Sequence, residues 1–258
     1  MNHALRAEWT KLRTVAGPGV LLLAAAVLTV AGSAAVAAAV SCPAAGCGGD
    51  ATRDSLTGVQ LGQVVVAVLA VLTVGGEYGT GMIRTTLTAM PRRLGVLAAK
   101  AATVTGPVLV VGAVSVLGSV LVGRLILPGR GFTAAHGYRP LSLTDTATLR
   151  AAGGSVLYLG LIALLGLGIA TLVRDSAAAI GVVLGLLYLL PVLLQAVGDP
   201  DWQRRLAQLA PSTAGLAIQS TTGLDGLPIG PWAGLGVLAA WAAGALLAGG
   251  LFLRLRDA

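Results

Sequence analysis

Six apolar runs, separated by charged or Pro- and Gly-rich stretches, organise the sequence: residues 18–40, 56–76, 101–123, 151–173, 176–198 and 231–253. Five are 23 residues long, one is 21, and none contains Asp, Glu, Lys or Arg. About 20 apolar residues in a helix cross the hydrocarbon core of a bilayer, and only helices or closed barrels satisfy the backbone there. The pattern therefore predicts an all-α integral membrane protein with six transmembrane helices. The charged stretch "RAEWTKLR" before the first run would suit a secretory signal, but the run is long for the apolar part of one and is read as a span.

The connections have patterns of their own. In "HALRAEWTKLR", Leu5, Trp9 and Leu12 fall at i, i+4 and i+7, which predicts an N-terminal interfacial helix with Trp at its preferred depth. Between runs two and three, Ile83, Leu87 and Met90 repeat that spacing, giving a short helix with an apolar face and Thr80 near its start. Pro91 suits the first position of a second helix. Ser142 and Asp145 in "SLTD" have capping-box spacing for a helix running into the fourth span, and "RDS" leaves room only for a tight hairpin between spans four and five. Before the sixth span, Trp202, Leu206 and Leu209 predict a short amphipathic helix ended by Pro211, with a second over residues 214–219. Within the runs, Gly181 and Gly185 are spaced for close helix packing. Gln60, Gln63 and Gln195 are the most polar residues there. They either line a solute pathway or hydrogen-bond between helices, the commoner role.

Composition agrees: 56% of residues are hydrophobic and 10% charged, with a mean hydropathy of +0.88, beyond what a soluble surface tolerates. The net charge of +7 is unevenly placed. With the N-terminus inside, the inner segments hold ten basic and four acidic residues, net +6, and the longer outer segments seven and six, net +1. Short cytoplasmic loops hold Lys and Arg in excess, so both termini are expected in the cytoplasm, in a plasma-type membrane whose anionic leaflet is the basic side's partner. Nucleic acid is not needed to explain the charge. On this topology Arg92, Arg93 and Lys100 act mainly in orientation, and the short helices before span six lie outside.

Catalytic chemistry is sparse. The sequence has no G-x-x-x-x-G-K-[ST] phosphate loop, and "GRGFTA" follows no strand. His3 and His136 both lie off the runs, and no run contains the ionisable residue that an ion-coupled carrier buries near the midplane. No catalytic residue, metal ligand or cofactor site is expected. Cys42 and Cys47, the only cysteines, fall on the outer, oxidising side in "SCPAAGC", where a turn at Pro43 and Gly46 makes them candidates for a disulfide. Two thiols without a nearby His are an incomplete metal site.

The run Glu77, Gly79, Thr80, Leu87, Pro91, Arg93 and Lys100 resembles the "E-x-G-T... L... P... R... K" run after the second span in membrane subunits of ABC-2 type ABC transporters. "AEWTKLRT" and "LAPSTAGLAI" are similar to the actinobacterial branch of that family, and the resemblance covers the whole six-span layout. Tyr78 and Gly81 stand where many members carry acidic residues. The resemblance implies a single transmembrane domain over residues 1–258 that acts as an export permease. It would pair with a second copy or a related permease, and a separate cytoplasmic ATP-binding subunit would supply ATP and Mg. Glu77, Gly79, Thr80, Ile83, Arg84, Leu87 and Met90 would then form the ATPase-coupling segment, a cytoplasmic coupling helix. A membrane interaction or immunity protein without transport is the alternative. The substrate is not legible.

Overall fold

The computed structural model describes residues 10, 16–42, 48–82, 93–138, 141–196 and 198–256. Among them every regular element is a helix. α1 (Ala16–Ala39) is followed by the short α2 (Ala51–Leu56), which Asp50 caps by accepting the Arg53 N–H at 3.1 Å. The chain continues through α3 (Val59–Gly79) to α4 (Arg93–Ile126), which ends in a 3-10 turn over Leu127–Arg130. α5 (Thr146–Val173) leads to α6 (Ser176–Leu184), which passes through a π-turn at Gly185–Leu189 into α7 (Leu190–Gln195). The short α8 (Pro200–Leu209) and α9 (Pro211–Leu216) precede α10 (Pro231–Arg256).

Among the described residues, six stretches are long and apolar enough to cross a membrane: Ala16–Ala39, Ala51–Gly79, Arg93–Arg130, Thr146–Val173, Ser176–Gln195 and Pro231–Leu255. Each contains most of one apolar run, which fits a multi-pass membrane protein. Several extend past it. α3 includes Glu77 and α4 includes Lys100, so two of these helices carry ionisable groups that a search for charge-free runs excludes.

α5 passes through the middle of the bundle and touches α3, α4, α6 and α10. Its Tyr158, Ile162, Ala163, Leu165 and Leu167 are fully buried. α1 lies against α3 and α4. The backbones come closest where a side chain is missing. A Cβ on Gly58 would stand 1.9 Å from the Thr29 carbonyl oxygen, and the Gly58 N–H donates to the Ser33 hydroxyl at 3.1 Å. At the α5–α10 crossing a Cβ on Gly168 would lie 2.7 Å from the backbone of Ala245. Gly181 and Gly185, the pair that the sequence marks for close packing, face open space with nothing within 4 Å of a Cβ. Four-residue spacing identifies a smooth face but not whether a neighbour covers it.

Local chemistry sets the helix ends. Asp145, not Ser142, caps α5: its carboxylate accepts the Thr148 N–H at 3.0 Å, while the Ser142 hydroxyl accepts the Thr144 N–H in the turn before. Pro211 does not merely end α8. It opens α9, where its missing N–H and fixed φ suit the first turn. The hairpin between α5 and α6 turns on Arg174, at φ 62°, and Asp175 caps α6 by accepting the Ala178 N–H at 2.7 Å.

Candidate functional site

One end of the bundle, named here for Arg174, gathers the charges that the sequence leaves scattered. Glu77 in the last turn of α3 and Lys100 in α4 form an ion pair at 2.6 Å, 7% and 3% exposed. In a low-dielectric setting each group of such a pair supplies the other's counter-charge. Lys100, which the sequence assigns to orientation, is therefore a buried structural partner, because α3 and α4 bring it against Glu77 across 23 residues of chain.

The neighbouring cations hold helix ends. Arg93 donates through Nη1 to the Leu253 carbonyl at 2.7 Å, and Arg174 donates through Nη2 to the Phe252 carbonyl at 3.3 Å. Both carbonyls lie in the last turns of α10, where the helix dipole favours positive charge. The Arg174 guanidinium also stands 5.6 Å from the centre of the Tyr78 ring, a cation–π distance. Residues from α3, α4, the α5–α6 turn and α10 thus meet at this end.

The residues of the resemblance divide here. Gly79 is the last residue of α3, and Thr80 ends it, its N–H and its hydroxyl both donating to the Gly76 carbonyl at 3.1 and 2.8 Å. Thr80 thus closes α3, its hydroxyl spent on the turn behind it, and Gly81 follows at φ 71° before helix resumes at Met82. Ile83, Arg84, Leu87, Met90, Pro91 and Arg92 lie outside the described residues, as do the N-terminal Leu5, Trp9 and Leu12.

Toward the opposite end, named for Asp50, three helices enclose a polar interior. Tyr158 on α5 donates its hydroxyl to Gln63 Oε1 on α3, and both residues are buried. Tyr188 in the π-turn donates to the Gln60 carbonyl. Gln219 donates to the Ser155 hydroxyl at 3.1 Å. Gln60 and Gln63 face one cavity of about 330 Å³, whereas Gln195 sits exposed at the end of α7 and away from it. Sequence reasoning overlooked Tyr158, Tyr188 and Gln219. A tyrosine three residues before Pro191 in the apolar "LLYLLP" was the available signal.

The rim of this end is tied by Asp50, which accepts the Thr221 hydroxyl at 2.7 Å and the Thr222 N–H at 3.1 Å besides capping α2. Arg150 donates to the Ser220 carbonyl at 2.6 Å. Cys42 is buried and disulfide-bonded, and its N–H donates to the Arg130 carbonyl at 2.8 Å. Cys47 lies outside the described residues. On α8, Trp202 and Leu209 are 58% and 62% exposed and Leu206 is half-buried, so among the described residues the apolar face that the spacing predicts is only partly covered. Compared as a whole, the sequence matches no family model and no curated protein.

Proposed function

We propose that this chain is the permease subunit of an ATP-driven exporter of the ABC-2 type, working with a second permease and a separate cytoplasmic ATP-binding subunit. The observation that carries the reading is the Glu77–Lys100 pair. These residues stand at the two ends of the run on which the family resemblance rests, and their contact draws together the two roots of the intervening segment. A segment that receives a push from a partner and passes it to two spans needs such a root, because slack at the attachment would absorb the movement. The ties from Arg93 and Arg174 to α10 extend the same rigidity to the last span. The long apolar helices and the excess of basic residues toward the Arg174 end support placing that end in the cytoplasm. Residues 79–90 are then the coupling segment, with Ile83, Leu87 and Met90 as the face that docks.

Leu87→Asp tests this, because it puts an unpaired carboxylate at the centre of that face. Burial of such a group costs several kcal/mol, so binding of the ATPase is expected to fall about 100-fold or more while the permease still inserts. Arg92→Ala, beyond Pro91 and off the face, is expected to leave binding nearly intact. The measurement is co-purification of each variant from solubilised membranes with the ATPase encoded beside it. Full retention of the ATPase by Leu87→Asp makes the segment a topology signal and removes the docking assignment.

A further inference from the structure

The cavity between α3, the π-turn and α9 is built in a way that the permease reading does not require. Its volume of about 330 Å³ falls in the range of small-ligand sites. Gln60, Tyr188 and Gln219 offer hydrogen bonds on its wall, and Leu187, Val192 and Ile229 offer an apolar surface.

The π-turn follows from one residue. Pro191 has no N–H for the Leu187 carbonyl four residues earlier, and the Ser212 hydroxyl on α9 donates to that carbonyl instead, at 2.8 Å. Tyr188, within the widened turn, reaches across to α3. The cavity is thus spanned by hydrogen bonds on two sides, which resist its collapse.

Arg53 is the one charged side chain on the lining, and it forms no ion pair among the described residues. Asp54 attracts its charge through space, but no carboxylate among the described residues lies within ion-pair distance of it. Asp50 is engaged by Thr221 and Thr222, and Asp54 lies on the side of Gly49 and Phe132, its Oδ2 3.7 Å from where a Gly49 Cβ would stand. A guanidinium at the mouth of a largely apolar cavity whose donors are not taken up by an ion pair can receive an anion, and its planar fork matches phosphate or carboxylate.

We propose that this cavity binds an amphiphilic anion, with its phosphate or carboxylate head at Arg53 and its apolar body against Leu187, Val192 and Ile229. The site is complete within one chain, so binding stands or falls without an ATPase and separately from the permease reading. Two sources supply such an anion: the head of an anionic phospholipid, and a free organic anion from the aqueous phase.

The test uses the full chain in phosphatidylcholine nanodiscs with labelled decyl phosphate as the probe, empty nanodiscs correcting for partition into lipid. Saturable binding of one probe per chain is expected. Arg53→Gln is expected to weaken it about tenfold or more, the loss of one charge-assisted contact. Arg204→Gln on α8, which removes an exposed charge away from the lining, is expected to change nothing. Decanol, without the charge, is expected to bind more weakly and equally to the wild type and Arg53→Gln. Because Arg53 is exposed, its substitution leaves the fold intact, and Ala207→Trp provides a second check by filling the cavity with Arg53 in place. Absence of saturable binding overturns the proposal, as does an equal loss in Arg53→Gln and Arg204→Gln. Phosphatidylglycerol mixed into the nanodisc separates the sources: displacement of the probe supports the lipid head as ligand, and undiminished binding supports a free anion.

Discussion

Lys100 is one of two lysines in a chain that uses Arg at fifteen positions, and it lies 2.6 Å from Glu77 in a setting where both groups are buried. Deleting one member of such a pair strands the other charge, which costs about 3–5 kcal/mol, whereas replacing both is often close to neutral. Lys100→Met is therefore expected to lower the thermal stability of the purified chain by about that amount, and Glu77→Gln in the same background to restore most of it. Melting curves of the two single variants and the double variant in one detergent decide the matter; additive losses would mean that the pair is not coupled. The sequence did not reveal the pair. Each charge stands beside a different apolar run, and a basic residue beside a span reads as a topology signal until it is known which helices touch. The unusual choice of Lys was the only local hint.

At the scale of the helix, the apolar runs located all six long elements, because the length and charge rule for crossing hydrocarbon acts on sequence alone. Their ends were less legible. A charge-free criterion stops at the first ionised residue, so it cut α3 before Glu77 and began the third run after Lys100, where the helices continue through the neutralised pair. Which glycines pack was not legible either, since an open glycine and a crossing glycine have the same spacing. Gly58 and Gly181 separate the two cases. A valine at position 58 has no room beside Thr29 and Ser33 and must push α1 from α3, a cost of at least about 1–3 kcal/mol for overpacking. A valine at position 181 meets open space. Gly58→Val is thus expected to lower the melting temperature markedly and Gly181→Val to leave it nearly unchanged in the purified chain. A large loss from Gly181→Val would show that a second protein covers that face of α6.

For the whole molecule, the two ends of the bundle do different work. At the Arg174 end, cations and a buried ion pair bind helix termini together; at the Asp50 end, neutral hydrogen bonds and a carboxylate hold a cavity and its rim. The sequence distinguished these ends only by counting charges. The polar interior was half visible in Gln60 and Gln63, but their partners Tyr158 and Tyr188 come from distant helices and could be joined to them only by the fold. The orientation of the bundle ties this division to function, because an ATPase can reach only the cytoplasmic end. If the Arg174 end is cytoplasmic, Cys42, Cys47 and the Arg53 cavity all belong to the outer side. A membrane-impermeant thiol reagent is then expected to label the chain in intact cells after mild reduction, and a Cys42→Ser, Cys47→Ser variant to remain unlabelled. Labelling only after lysis would reverse the molecule, remove residues 79–90 from reach of any ATPase and turn the Arg53 cavity toward the cytoplasm, where its anion would have to be a cytosolic one.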